Sequence, residues 1–184
     1  WHYKLDLSQV DSDFAVVLGG DGSILRAALQ MQEVQVPILG VNLGKLGFLA
    51  SVSPEDFPRV LPEVAGGECR VVEHLMFRCV VFSDGVPVVE TLGLNEVAIL
   101  TGAPFSILNA DLYVDAELAT TYACDGLIIS TPVGSTAHSL SAGGPILRKT
   151  LPAFVICPVA PHTLTVRPVV DTADRVYEVV VPQP

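Results

Sequence analysis

Apolar residues come in short runs along this chain, and each run is cut by Gly, Pro or Asp before it grows long. The first, Phe14-Ala15-Val16-Val17-Leu18, has β-strand composition and ends in Gly19-Gly20-Asp21-Gly22. Residues 23–32 follow with helix-forming composition, and Ile24, Leu25, Ala28 and Leu29 fall near helical spacing, so the run predicts a strand, a tight loop and a helix. Val36-Pro37-Ile38-Leu39-Gly40-Val41 supplies a second buried strand ending in Asn42-Leu43-Gly44-Lys45-Leu46-Gly47, and the two strands predict a parallel α/β sheet. Residues 54–64 read as one short helix, with Ser53 as N-cap and Pro54 at the first helical position. Beyond it strand-like runs dominate, at residues 70–72, 77–82, 86–92, 96–100, 108–114, 126–130, 154–157 and 176–181. They are short, rich in Val and Ile and bounded by turn residues, which predicts a β-rich second domain. The expected division is an α/β domain over residues 1–53 and a β-rich domain over residues 54–184.

Composition narrows the classes. A chain of 184 residues with 50 % hydrophobic content can bury a core without disulfide staples. None of its apolar stretches reaches the ~20 residues that cross a bilayer, so a soluble protein without a membrane partner is expected. The N-terminal Trp1-His2-Tyr3-Lys4-Leu5-Asp6 lacks a basic head and apolar run, and cytoplasm is the expected compartment. Cys69, Cys79, Cys124 and Cys157 form no C-x-x-C pair, which points to reduced, mostly buried thiols. A formal net charge of −10 with no run of Lys or Arg argues against nucleic acid. Acidity does not exclude a nucleotide, because backbone N–H groups of a Gly-rich turn can hold phosphate.

Three stretches carry candidate chemistry. Two glycines after a buried strand let backbone approach a ligand closely, and the helix start that follows favours an anion. Asp21 inside that loop would repel phosphate unless it holds a metal or accepts a proton from an attacking hydroxyl, and both jobs belong to kinases. Asn95-Glu96 sets an amide beside a carboxylate at the head of an apolar strand, a pair suited to a base edge or a ribose diol. The apolar strand at 126–130 opens into a loop over residues 131–145 dense with Ser, Thr and Gly, whose neutral hydrogen-bonding groups suit a nucleoside.

The order of these stretches resembles the NAD kinase family. The likeness runs from Gly19-Gly20-Asp21-Gly22 through Gly40-Val41-Asn42-Leu43-Gly44-Lys45-Leu46-Gly47-Phe48-Leu49, Asn95-Glu96 and the Asp125 to Pro145 stretch to Pro161-His162-Thr163-Leu164 and Arg167-Pro168. The long Ser/Thr/Gly segment is its most specific part, whereas the Gly-Gly-Asp-Gly piece is shared with diacylglycerol, sphingosine and phosphofructo-kinases. The resemblance implies an α/β N-terminal domain plus a β-rich C-terminal domain, homo-oligomers (dimer or tetramer), and transfer of a phosphoryl group to the adenosine ribose 2′-hydroxyl of NAD. The donor it implies is ATP, another nucleoside triphosphate or polyphosphate, accompanied by Mg²⁺ held mainly by phosphates and water. It implies that Asp21 is the general base, that Gly20 and Gly22 contact substrate, and that Arg26 lies near the phosphates. Asn95 and Glu96 would hold the adenosine, Thr136, Ala137, His138 and Ser141 would line the adenine pocket, and Asp125 would belong to the dinucleotide site. No side chain of the chain is expected to ligate a metal directly.

The sequence also departs from the pattern of the family it resembles. Val133 replaces a Thr or Ser, His138 replaces a Tyr that stacks on the base, and Ala123-Cys124 stands where a basic residue and a glycine are usual. An opening strand and a C-terminal return segment are missing, which makes a fragment the expectation. Two alternatives remain at this level: a lipid kinase sharing the Gly-Gly-Asp-Gly loop, and a nucleotide-binding module without catalysis. His74 and His162 are left outside the expected site.

Overall fold

The computed structural model describes residues 7–44, 47–103 and 107–182. Lys45 and Leu46, part of the family-like stretch, lie outside the described residues. The chain forms two compact units, residues 1–72 and 73–184, whereas the sequence changes character near residue 53.

In the first unit, β1 (Ala15–Leu18) pairs in parallel with β2 (Ile38–Val41), joined by α1 (Asp21–Met31). Only a crossover can connect adjacent parallel strands, and α1 is that crossover. Ile24, Ala27, Ala28 and Met31 are its buried residues, one stripe at helical spacing, while Leu29 is 43 % exposed. The helix starts two residues earlier than the composition predicts, with Gly20 as N-cap and Asp21 inside the first turn. A negative side chain there is favoured by the helix dipole. The second helix, α2 (Phe57–Ala65), starts later than expected. Ser53 caps a preceding turn instead: its Oγ accepts the Asp56 N–H at 3.1 Å and donates to Asp56 Oδ2 at 2.9 Å.

Among the described residues the regular structure of the second unit is strand, apart from the 3₁₀ turn Gly134–Thr136 and one turn of α-helix. The hairpin β3 (Phe77–Ser83) with β4 (Val86–Gly93) precedes two antiparallel sheets. One sheet joins β10 (Val169–Thr172), β9 (Ala153–Val159), β8 (Gly126–Ser130) and β5 (Glu96–Leu100) in that order. The other orders β11 (Tyr177–Val180), β6 (Leu108–Val114) and β7 (Glu117–Cys124). Leu108, Ala110 and Leu112 of β6 meet Tyr122, Cys124, Leu127 and Ile156 in the core between the sheets. On the opposite face Ile128, Val155 and Cys157 pack under Ala142 and Leu147. Burial on both faces explains why β8 and β9 are continuous apolar runs rather than alternating ones. Phe154 meets the rings of Phe77 and Tyr177 edge-on, at 6.3 and 5.6 Å between centroids, and so ties the hairpin to the sandwich.

Residues 70–72 form no strand, contrary to the run of Val71-Val72, because no neighbouring strand takes up their backbone groups. Strands β7 and β10 were not expected. Of the four thiols, Cys124 and Cys157 are buried, but Cys69 is exposed and Cys79 only half-buried.

Candidate functional site

The expected site residues fall into separate clusters, one in the first unit and two in the second. In the first unit the centre is Asp21. Its Oδ2 accepts the backbone N–H of Phe48 at 2.8 Å, and its Oδ1 accepts those of Leu49 and Ala50 at 2.9 and 3.1 Å. The Gly-Gly-Asp-Gly turn and the Gly47-Phe48-Leu49 stretch are thus one constellation, tied across 27 to 29 residues of chain. Gly47 fits because it has no Cβ, which would fall on the Asp21 carboxylate. Gly40 is confined likewise, a Cβ there meeting Ile24 Cδ1 at 2.5 Å. Buried Asn42 accepts the Gly44 N–H through Oδ1 at 2.9 Å, shaping the turn after β2. Gly20 and Gly22 are exposed, with open space where a Cβ would point, and Arg26 is exposed one turn beyond Gly22 on the same helix face.

In the second unit the head of β5 is clamped to the turn after β8. The Thr131 N–H donates to Asn95 O at 2.8 Å, and Thr131 Oγ1 donates to Leu94 O at 2.5 Å while accepting the Gly134 N–H at 3.1 Å. Gly134 rests directly on the Asn95 carbonyl, leaving no room for a side chain. The 3₁₀ turn Gly134–Thr136 then leads through Ala137 into α3 (His138–Ser141), whose His138 feels the charge of Glu96. Glu96 is half-buried, and its Oε2 is buried with no hydrogen-bond partner among the described residues. Burial pushes the Glu96 carboxyl up from the ordinary glutamate range, and nearby His138 pulls it part of the way back.

The Ser/Thr-rich turn mostly spends its hydroxyls on itself. Ser130, Thr131, Ser135 and Ser139 are all fully buried, and Ser135 Oγ donates to Pro132 O at 2.6 Å while accepting the Leu147 N–H at 3.0 Å. Thr136 Oγ1 donates to Val133 O at 3.1 Å, and Val133 is 5 % exposed, a core position rather than a ligand-facing one. Of the expected site residues in this loop, Thr136, Ala137 and His138 are half-buried and Ser141 is exposed.

Asp125 does not join the Glu96 cluster. Glu96 pairs with Ser130 and Leu100 with Gly126, so Asp125 lies at the other end of β8, about 15 Å away along the strand. Its Oδ1 sits 3.1 Å from Nε2 of His162, whose own N–H donates to Ala123 O at 2.8 Å. His162, set aside on sequence grounds, is therefore the partner of an expected site residue. The 37 residues between them hide the pairing from any local spacing rule.

A Gly-Gly-Asp turn opening a helix on a parallel strand pair, followed by an antiparallel β-rich unit with a clamped Ser/Thr turn, defines a two-domain protein of the α/β-plus-β class. Residues 2–69 match the ATP-NAD kinase N-terminal domain, and residues 94–182 match the ATP-NAD kinase C-terminal domain. The chain belongs to the NAD kinase family.

Among its relatives, an NAD kinase of Rhodopirellula baltica is 54 % identical over 184 residues, which is 100 % of this chain and 59 % of the relative. An NAD kinase of Cellvibrio japonicus is 43 % identical over 88 % of this chain and 54 % of its own length. The chain thus spans little more than half the length of these curated relatives. Of solved structures, yeast NADH kinase complexed with NADH superposes with a TM-score of 0.84 at 30 % identity, covering 92 % of this chain and 53 % of that one. An NAD kinase from Archaeoglobus fulgidus in complex with ATP gives 0.76 at 34 % identity, covering 92 % and 65 %. The lipid-kinase alternative gives way to these matches.

Proposed function

We propose that the protein containing this chain transfers a phosphoryl group from ATP to the adenosine ribose 2′-hydroxyl of NAD, giving NADP. The observation that carries the reading is Asp21: a carboxylate at the start of α1, fixed by the amides of Phe48, Leu49 and Ala50 beside an open Gly-Gly turn. A fixed carboxylate can accept a hydroxyl proton while the turn and helix start receive phosphate, and phosphoryl transfer depends mainly on such positioning. In this reading Gly20 and Gly22 admit the substrate's backbone-facing atoms, and Arg26 offers charge to the phosphates. Asn95 and Glu96 take the ribose and base edge, with the unpartnered Glu96 Oε2 as hydroxyl acceptor. Thr136, Ala137, His138 and Ser141 border the adenine, His138 supplying a smaller stacking face than a Tyr. Asp125, paired with His162, meets the far part of the dinucleotide.

Polyphosphate is a second donor to be tried. Mg²⁺ would arrive with the donor and neutralise its phosphate charge. Among the described residues no three His, Cys, Asp or Glu converge to hold a metal. Among the described residues no helix is long and apolar enough to cross a membrane. The cysteines are unpaired, as a reducing cytoplasm would leave them, and we assign the reaction to that compartment. The family likeness supports a homodimer or homotetramer, which sedimentation would read directly.

The test is NADP formation by the full-length protein, with ATP and polyphosphate supplied in turn. Asp21→Asn should lower turnover ~10²-fold or more with NAD affinity held within a few-fold, because a proton acceptor acts in the transition state rather than in ground-state binding. Wild-type turnover in the variant at the same pH removes the base role.

A further inference from the structure

The contact between Gly47 and Asp21 carries a consequence for catalysis beyond the three amide bonds. A Cβ built on Gly47 falls on Oδ1 and Cγ of Asp21 and within 2.9 Å of Oδ2, closer than real Cβ atoms approach anything. Space alone is enough to require a glycine there. The escape for an added methyl is rotation of the Asp21 side chain, because the three nearest atoms all belong to that carboxylate. Rotation would take the carboxylate off the amides of Phe48, Leu49 and Ala50 together. Phe48 is 60 % exposed, so water can replace the acceptor its amide loses, whereas Ala50 is fully buried and its amide alone would be left unpaired at a cost to the fold.

We infer that Gly47 is a positioning residue for phosphoryl transfer, holding the Asp21 carboxylate in its working orientation by offering a bare Cα against it. The inference rests on the reading of Asp21 as the group that meets the ribose hydroxyl. It separates the role of the Gly47 stretch from substrate binding: the stretch acts through Asp21, so its disturbance shows in turnover and not in the affinity for NAD.

The experiment uses the full-length protein and its Gly47→Ala variant. Turnover should fall ~10- to 100-fold, the scale on which misplacing a reacting group by an ångström acts, with KM for NAD within about threefold and melting lowered by only a few degrees. Amide hydrogen exchange at Phe48, Leu49 and Ala50 should quicken in the same variant. Where Gly47→Ala folds poorly, Asp21→Ala supplies the second arm: with the carboxylate gone the methyl has room, so Asp21→Ala/Gly47→Ala should turn over no more slowly than Asp21→Ala alone. Turnover within about twofold of wild type in a folded Gly47→Ala, or additive losses in the double variant, overturns the inference. A wild-type protein that makes no NADP from any donor removes the kinase reading instead. Amide exchange then decides the clamp by itself, quickened exchange supporting it and unchanged protection overturning it.

Discussion

Glu96 is a residue whose local environment works against the fold. Burial raises its carboxyl above the ordinary glutamate range, and Oε2 has no partner among the described residues, so the ionised form is disfavoured in the folded state. A raised folded-state value means that the stability linked to this proton is fully present below the ordinary glutamate pKa of ~4.3 and is lost as pH rises through the folded value. At neutral pH the wild type therefore carries the full cost of that shift, which Glu96→Gln would remove. The variant should melt above wild type at pH ~7, and the gap should close as pH falls below ~4.3, where both side chains are neutral. Differential scanning calorimetry at the two pH values checks this, and a variant melting below wild type at neutral pH shows that the carboxylate is satisfied. The proposed role of Glu96 as acceptor for a ribose hydroxyl predicts the opposite for binding: Glu96→Gln should weaken the affinity for NAD. At this scale the sequence announced Asn95-Glu96 as a pair by its strand-end position. It did not announce that one carboxylate oxygen goes unpaired, or that His162 meets Asp125, since both depend on residues far along the chain.

Among the elements, the strand–turn–helix of β1 and α1 was legible because its signals are local: an apolar run, two glycines and a helical stripe. The clamp between β5 and the turn after β8 was not, since nothing in Thr131-Pro132-Val133 reveals that its hydroxyl reaches back 37 residues to Leu94. The same limit hid which hydroxyls of the Ser/Thr loop serve the fold: Ser130, Thr131, Ser135 and Ser139 are fully buried. Strand β7 escaped notice because the described burial of its first five residues is uniformly exposed, so no alternation marks its faces, and β10 is only four residues long. Thr131 tests the clamp. Thr131→Val keeps the shape but loses the bond to Leu94 O and the acceptor for the Gly134 N–H, leaving two buried backbone groups unpaired. Unfolding in urea should show a loss of ~1 to 3 kcal/mol with an unchanged slope, since the surface exposed on unfolding is the same. A variant as stable as wild type would mean that this bond is replaced by water and that β5 is held by its ladder alone.

For the molecule as a whole, the open question is where one unit gives way to the next. Composition changes near residue 53, yet α2 lies in the first compact unit, which extends to Val72. Between α2 and β3 the chain from 69 to 73 has exposed residues, no regular structure from 70 to 76 and no strand partner. Proteases need several residues of backbone to unfold into their active sites, and they cut first where that opening costs least. Arg59 sits within α2, whose helix must melt before cleavage, whereas Arg70 stands in the irregular segment at the junction. Limited trypsin digestion of the native protein should therefore cut after Arg70 before it cuts after Arg59, and mass spectrometry should find an early fragment beginning at Val71. Arg148, exposed in the irregular segment 144–148, is the next site by the same criterion, while the strands from β3 onward share a core around Leu112, Leu127 and Ile156 that should protect the Arg sites within them. Early cleavage at Arg59 with Arg70 intact would place the junction before α2, nearer the change in composition, and would make α2 part of the second folding unit.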